Sequence, residues 1–194
     1  DWERAHELAN KHTPELARDA ARVMLSRAEH AAGERRWIDA VLATRPPASE
    51  RAALLVHRAD VRRREATPDL AAAVADLHEA LEMLEDDDPD QAALRRKAYQ
   101  LEADLLAKSG DQRARAQALA SLAKLAEREV DRVQHETAAA AARLAADEPA
   151  AALPHGARAH ATLPSDVPPQ LRRDVLVTLG EAAWRQRAWP DVLR

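Results

Sequence analysis

Leu55-Val56-His57-Arg58-Ala59-Asp60 and Ala73-Val74-Ala75-Asp76-Leu77-His78-Glu79-Ala80-Leu81 are the two stretches that decide the fold. Each sets small residues beside larger apolar ones at helical spacing. Between them stands Ala66-Thr67-Pro68-Asp69, where Thr67 offers a cap and Pro68 a first helical turn. The sequence therefore predicts helices over about 48–65 and 69–85, folded back on each other as a hairpin.

Proline and glycine punctuate the rest of the chain at helix-length intervals. Upstream, Thr13-Pro14 opens a helix whose apolar positions Leu16, Ala20, Val23, Met24 and Ala28 run to a stop at Gly33. A second carries Trp37, Ile38, Val41 and Leu42 to Pro46-Pro47. Downstream, the acidic run 85–90 opens a helix from about 90 to 108, with Asp88 or Asp90 as its cap, ending at Ser109-Gly110-Asp111. No Gly or Pro interrupts 111–148, so a break between Glu129 and Asp131 is placed on helix length, one long helix being the rival. Pro149 begins another segment, 164–169 is a rigid connector, and Leu171 to Arg187 is a further helix. The residues after Trp189 read as the first turn of a truncated one.

Composition agrees with an all-α chain. Of 194 residues, 47 are Ala and 24 Leu, whereas isoleucine and tyrosine occur once each, as Ile38 and Tyr99, and phenylalanine is absent. That is not the β-branched and aromatic content of a sheet. Ala buries little apolar area, and a buried Leu contributes roughly 1.5–3 kcal/mol, so stability must come from thin layers of closely packed helices. With no Cys, disulfide scaffolds and thiolate metal sites are excluded. No apolar window reaches the ~18 residues of a membrane span. A net charge of −4 with both signs interspersed gives no global attraction to nucleic acid or anionic lipid. Asp1-Trp2-Glu3-Arg4 is neither a secretory signal nor an initiating methionine, and the expectation is one helical domain over 1–194, a cytoplasmic piece of a longer chain.

The pattern also repeats. Residues 53–86, with Arg58-Ala59 in the first helix and Ala73-x-x-Asp76 in the second, resemble the tetratricopeptide repeat. Tyr99-x-x-x-Ala103-x-x-Leu106-x-x-x-Gly110-Asp111, continued by Ala116, Ala120 and Ala123, is similar, as is Leu176-x-x-Leu179-Gly180-x-x-Ala183; a fainter unit runs from Leu25-Ser26 to Gly33 and Ala40. The equivalent small residues Ser26, Ala59, Ala103, Ala140 and Gly180 are 33, 44, 37 and 40 apart, against about 34 in the family. Residues 131–163 match poorly. The resemblance implies an α-solenoid of about five antiparallel hairpins, in a right-handed superhelix with stability summed over neighbours. It further implies that the first helix of each pair lines a concave groove for an extended peptide or a partner helix. Carried over by matching units, the groove residues are Val56, Asp60 and Arg63, then Gln100, Asp104 and Lys108, then Glu181, Trp184 and Arg185. Chaperone-tail binding is not implied, because that subgroup uses paired asparagines and this chain has only Asn10.

Candidate chemistry is sparse. His6 and His12 are six apart and His155 and His160 five, neither at the i, i+4 spacing that sets two rings on one helix face; after His135-Glu136, Ala139 stands where a second histidine ligand belongs. The acidic run lacks the Gly and closing Glu of a calcium loop. Arg58, Arg62, Arg63 and Arg64 suit phosphate or carboxylate recognition, but Asp60 and Glu65 are interleaved and aromatics for base stacking are few. The serines Ser26, Ser49, Ser109, Ser121 and Ser165 occupy no nucleophile elbow. Trp37 belongs to the core; Trp2, Trp184 and Trp189 are the other large aromatics. The expectation is a protein-binding scaffold with a protein or peptide partner and no catalytic residue, metal, cofactor or nucleic acid. The alternative is a regulatory or spacer module of a larger enzyme or sensor. Arg-over-Lys and Ala-rich usage suggests a GC-rich bacterial gene.

Overall fold

The computed structural model describes residues 4, 13–28, 30–86 and 88–187, and among these every regular element longer than a turn is a helix. They are α1 (Pro14–Ser26), α2 (Ala31–Ala43), α3 (Ala48–Arg64), α4 (Leu70–Met83), α5 (Pro89–Ser109), α6 (Gln112–Leu125), α7 (Glu129–Ala145), α8 (Pro149–Ala161) and α9 (Pro169–Gln186). The chain divides into two compact units between Ala98 and Tyr99, inside α5. No described helix is long and apolar enough to cross a membrane. The expected turn after Trp189, together with Trp2, His6, Asn10 and His12, lies outside the described residues.

In the first unit, α1 opens as expected, with Thr13 extended and Pro14 in the first turn, but it closes earlier than Gly33. Ser26 Oγ donates to the Val23 carbonyl at 2.8 Å in the last turn, an alternative to the helical ladder. Gly33 instead lies inside α2, and Leu16, expected on the apolar face, is 59% exposed. Ala21, Trp37 and Val41 form a core flanked by Met24, Leu25 and Leu54. Trp37 is 5% exposed, as a core residue should be, with the Arg36 guanidinium 4.9 Å from its ring centre.

Helices α3 and α4 pack together as the predicted hairpin. Leu55, Val56 and Ala59 on one and Ala73, Leu77 and Ala80 on the other are fully buried. The cap of α4 is Asp69, whose carboxylate accepts from the Ala72 N–H at 3.0 Å; Thr67 and Pro68 stand outside the helix. A charged clamp ties the hairpin. Arg58 donates to both oxygens of the buried Asp76, at 2.6 and 3.0 Å, and to Asp39 at 2.7 Å. Arg62 Nε approaches Asp76 at 3.2 Å but outside hydrogen-bond geometry. Burial works against the Arg58 charge, yet the hydrogen bonds from its guanidinium to Asp76 and Asp39 raise its pKa above the ordinary value.

The α5 cap is Asp88, which accepts from the Asp90 N–H at 2.9 Å. In the second unit α5 ends at Gly110, at φ 83°, where glycine enters the left-handed region without strain. Asp111 then caps α6 by accepting from the Ala114 N–H at 2.9 Å. The break in 111–148 exists, but it falls at 126–128, ahead of its expected place. Glu129 and Asp131 belong to the first turn of α7, where carboxylates favour the positive end of the helix dipole. Helix α7 packs against α6, α8 and α9, and α8 packs against α9. Val133, Ala159, Val167, Leu171 and Val175 make one core; Ala140, Leu144, Ala152 and Ala182 make another. Of the two glycines in these helices, Gly156 and not the repeat-equivalent Gly180 is the point of close approach. A Cβ on Gly156 would lie 3.3 Å from Leu179 Cα, whereas one on Gly180 would meet nothing within 4 Å.

This unit has its own charged clamp. Glu136 on α7 accepts from Arg158 Nε at 2.8 Å and Nη2 at 3.1 Å, and lies 2.6 Å from His155 Nδ1. Burial opposes ionisation of Glu136, but the bonds from His155 and Arg158 prevail and hold its carboxyl below the ordinary range.

Candidate functional site

Helices α7 and α9 of the second unit leave a furrow between them. Gln134, Ala138, Ala141 and Ala145 recur on α7 at intervals of four, three and four; Gln170, Asp174, Thr178, Glu181 and Arg185 recur on α9 at four, four, three and four. Each set therefore occupies one helical face. The furrow comprises a stretch of about 480 Å³ next to the α9 N-terminus and one of about 250 Å³ towards its C-terminus. Ala141 and Thr178 line both, so the two are continuous. From Gln170 to Arg185 it runs roughly 22 Å at 1.5 Å per residue, enough for six or so extended residues at about 3.3 Å each.

Small side chains, Ala138, Ala141, Ala145 and Thr178, line the channel above the buried Thr137, Leu144 and Leu171, so a visiting backbone can come close. The polar rim is held in place from within. Gln170 donates to Asp174 at 2.7 Å, and Arg185 donates to Glu181 at 2.5 Å and to the Leu144 carbonyl at 3.2 Å. Arg185 thus adds a side-chain donor to a carbonyl at the α7 C-terminus that also accepts from the Asp147 N–H, which fixes both the furrow's end and the guanidinium.

Of the groove residues expected from sequence, the structure brings Glu181 and Arg185 together in this furrow. Trp184 lies on another flank of α9, lining a cleft of about 710 Å³ with Asp147, Pro149 and Arg187. Val56 is 0% exposed and belongs to the core, so no partner can reach it; the correction follows from its full burial on a helix packed against both α2 and α4. Asp60 and Arg63 are half-buried and bonded to each other at 2.6 Å. Burial works against the Asp60 charge, yet Arg63 and Arg64 bring its pKa below the ordinary value. Gln100 donates to Asp104 at 3.2 Å on an exposed face of α5, and Lys108 is exposed in its last turn. The furrow residues of α7 were not expected, since 131–163 carries a poor repeat pattern; the one signal was the spacing of Gln134, Ala138, Ala141 and Ala145 itself.

The basic run on α3 is neutralised. Arg58 and Arg62 face Asp76, Arg63 faces Asp60, and Arg64 faces Glu34 and Asp60. Arg64 chiefly, with His57, lowers the Glu34 pKa against a smaller effect of burial. His135 is half-buried, and burial lowers its pKa against the pull of Asp131. Among the described residues no group of three or more His, Cys, Asp or Glu converges as a metal site. No protein-family model matches the chain, and no curated protein or solved structure matches it.

Proposed function

We propose that the chain is a protein-binding module of stacked helical hairpins, a solenoid of the tetratricopeptide kind, that holds a partner peptide in the α7–α9 furrow. The observation that carries this reading is the furrow itself: two helices lining a shared channel of small alanine and threonine side chains, with a polar rim fixed by intramolecular bonds. A rim already held in place loses little freedom on binding. Its carboxylates, Asp174 and Glu181, each accept from a side chain four residues away, an arrangement for orientation rather than proton transfer. Carboxylates outnumber the one arginine, so a neutral or basic peptide with small side chains at the floor is the fitting occupant.

The test is selection of a displayed random-peptide library on the chain, counter-screened on Ala141→Arg and Thr178→Arg. Ala141 is exposed, so a long side chain there fills the channel without entering a core. Peptides that bind the parent chain and lose both variants, with unchanged circular dichroism, support the reading. Absence of enrichment, or binders indifferent to both substitutions, refutes it.

A further inference from the structure

The flank of α9 turned away from the furrow is chemically unlike it. Leu176, Val177 and Trp184 are 50%, 60% and 67% exposed, and on a helical wheel they share one sector with Gly180, Arg172 and Arg173, while Arg187, the left-handed residue just past α9, lines a cleft with Trp184. In that sector every charged residue of α9 is an arginine; its acids, Asp174 and Glu181, belong to the furrow. Two clefts bracket the strip. One, of about 610 Å³, sets Leu176 and Val177 beside Arg172 and Arg173. The other, of about 710 Å³, sets Trp184 beside Arg185 and Arg187, with the exposed Asp147 at its edge. Arg173 and Arg187 form no ion pair with a described residue, whereas Arg172 donates to the Ser165 carbonyl at 3.0 Å. Between the clefts, Gly180 leaves open space where a side chain would stand.

We infer that this flank docks an amphipathic helix of a protein partner, acidic at both ends. Leu176 and Trp184 are eight residues apart, roughly 12 Å along the axis. That matches apolar side chains seven or eight positions apart on the partner, one for each cleft. Carboxylates one turn outside each anchor would meet Arg172 and Arg173 at one end and Arg187 at the other, as paired hydrogen bonds to guanidinium. The vacancy at Gly180 lets the two helices approach closely between the anchors. Apolar anchors ringed by complementary charge are how helix-in-groove recognition obtains both hold and register. The site meets the furrow only at Arg185, which lines both, and neither proposal depends on the other.

The probe is a synthetic, fluorescein-labelled helical peptide with two leucines seven positions apart and paired glutamates one turn outside each. Its twin carries lysines in place of the glutamates. Anisotropy titration of the full chain should show the glutamate peptide binding at least ~10-fold tighter than its twin and weakening with salt. Arg173→Glu with Arg187→Glu should reverse that preference. Gly180→Leu, whose side chain enters open space and should leave the fold intact, should abolish binding. Ala141→Arg in the furrow should change nothing. Equal binding of both peptides, binding of neither, or indifference to the charge reversal overturns the inference. So does a dimer that Trp184→Ser dissolves, which would give the flank to a second copy. Binding that appears only after residues 188–194 are removed would give it to the chain's own last residues, and is equally adverse.

Discussion

Three glycines separate three causes of a glycine's presence, and replacing each with alanine measures them one at a time. Gly180, inside α9, has helical backbone and open space around a would-be Cβ. Alanine there adds only helix propensity, a gain of about 1 kcal/mol. Gly156, inside α8, offers the same gain, but the new Cβ would lie 3.3 Å from both Leu179 Cα and Cδ1 and 3.4 Å from Leu179 Cβ. The nearest of these atoms includes backbone of a packed helix, so α8 and α9 must separate by a few tenths of an ångström. Overpacking costs about 1–3 kcal/mol, and a single methyl belongs near the lower limit. The net effect at Gly156 is therefore between zero and about 1 kcal/mol destabilising, some 1–2 kcal/mol below Gly180→Ala. Gly110 has open space but φ 83°, so Gly110→Ala should lose about 1–2 kcal/mol through the backbone alone. At roughly 2–4 °C per kcal/mol for a chain of this size, thermal unfolding followed by circular dichroism should rank Gly180→Ala above the parent and the other two level with or below it. A Gly156→Ala protein as stable as Gly180→Ala would refute the close α8–α9 approach on which the second unit's packing rests.

Removing the carboxylate in Asp76→Ala should lower stability by about 3 kcal/mol, because Arg58 is left in the hairpin without its buried partner, whereas Arg58→Met with Asp76→Leu should recover most of that loss in chemical denaturation. The Glu136 carboxyl is held below its unfolded value, so the stability it contributes is complete above about pH 4.3, the unfolded value, and disappears as pH falls through the folded one. Glu136→Gln should therefore flatten the acid limb of the stability curve below that pH; an unchanged limb would count against the α7–α8 clamp. Melts with and without a chelator should superimpose, and a lower midpoint with chelator would reveal a metal that the histidine spacing does not suggest.

The helices were legible because the sequence marks most of their ends with residues that have one physical use. Pro14 and Pro149 sit in first turns, and Gly110 takes the left-handed angle that ends α5, whereas Pro169, read as the end of the connector, opens α9. Where the marks misled, a second residue did the same work better. Thr67 and Asp69 can both accept from a helix N-terminus, and only the three-dimensional path of the chain decides that Asp69 faces Ala72. Gly33 reads as a stop, yet a glycine inside a helix ends nothing unless its angle turns positive. The break at 126–128 carries neither Gly nor Pro; Arg128, extended at φ −98° and ψ 138°, is followed by acids in the first turn of α7, a weak signal that helix length alone placed a few residues late.

The site was harder to read, for a reason that lies in alanine. A groove residue and a core residue of an Ala-rich helix look the same in sequence, and the repeat pattern assigns faces only where large and small residues alternate. Val56 shows the failure: it shares α3 with Asp60 and Arg63, but its side chain is fully buried and lost to solvent. The opposite failure hid the furrow, since Ala138, Ala141 and Ala145 carry no chemistry that a motif could flag. They matter through what they omit. Side chains this small leave a channel along the outer face of α7, and it is the bonded rim on α9, from Gln170 to Arg185, that gives the channel a fixed polar edge and makes it the candidate for the proposed peptide site.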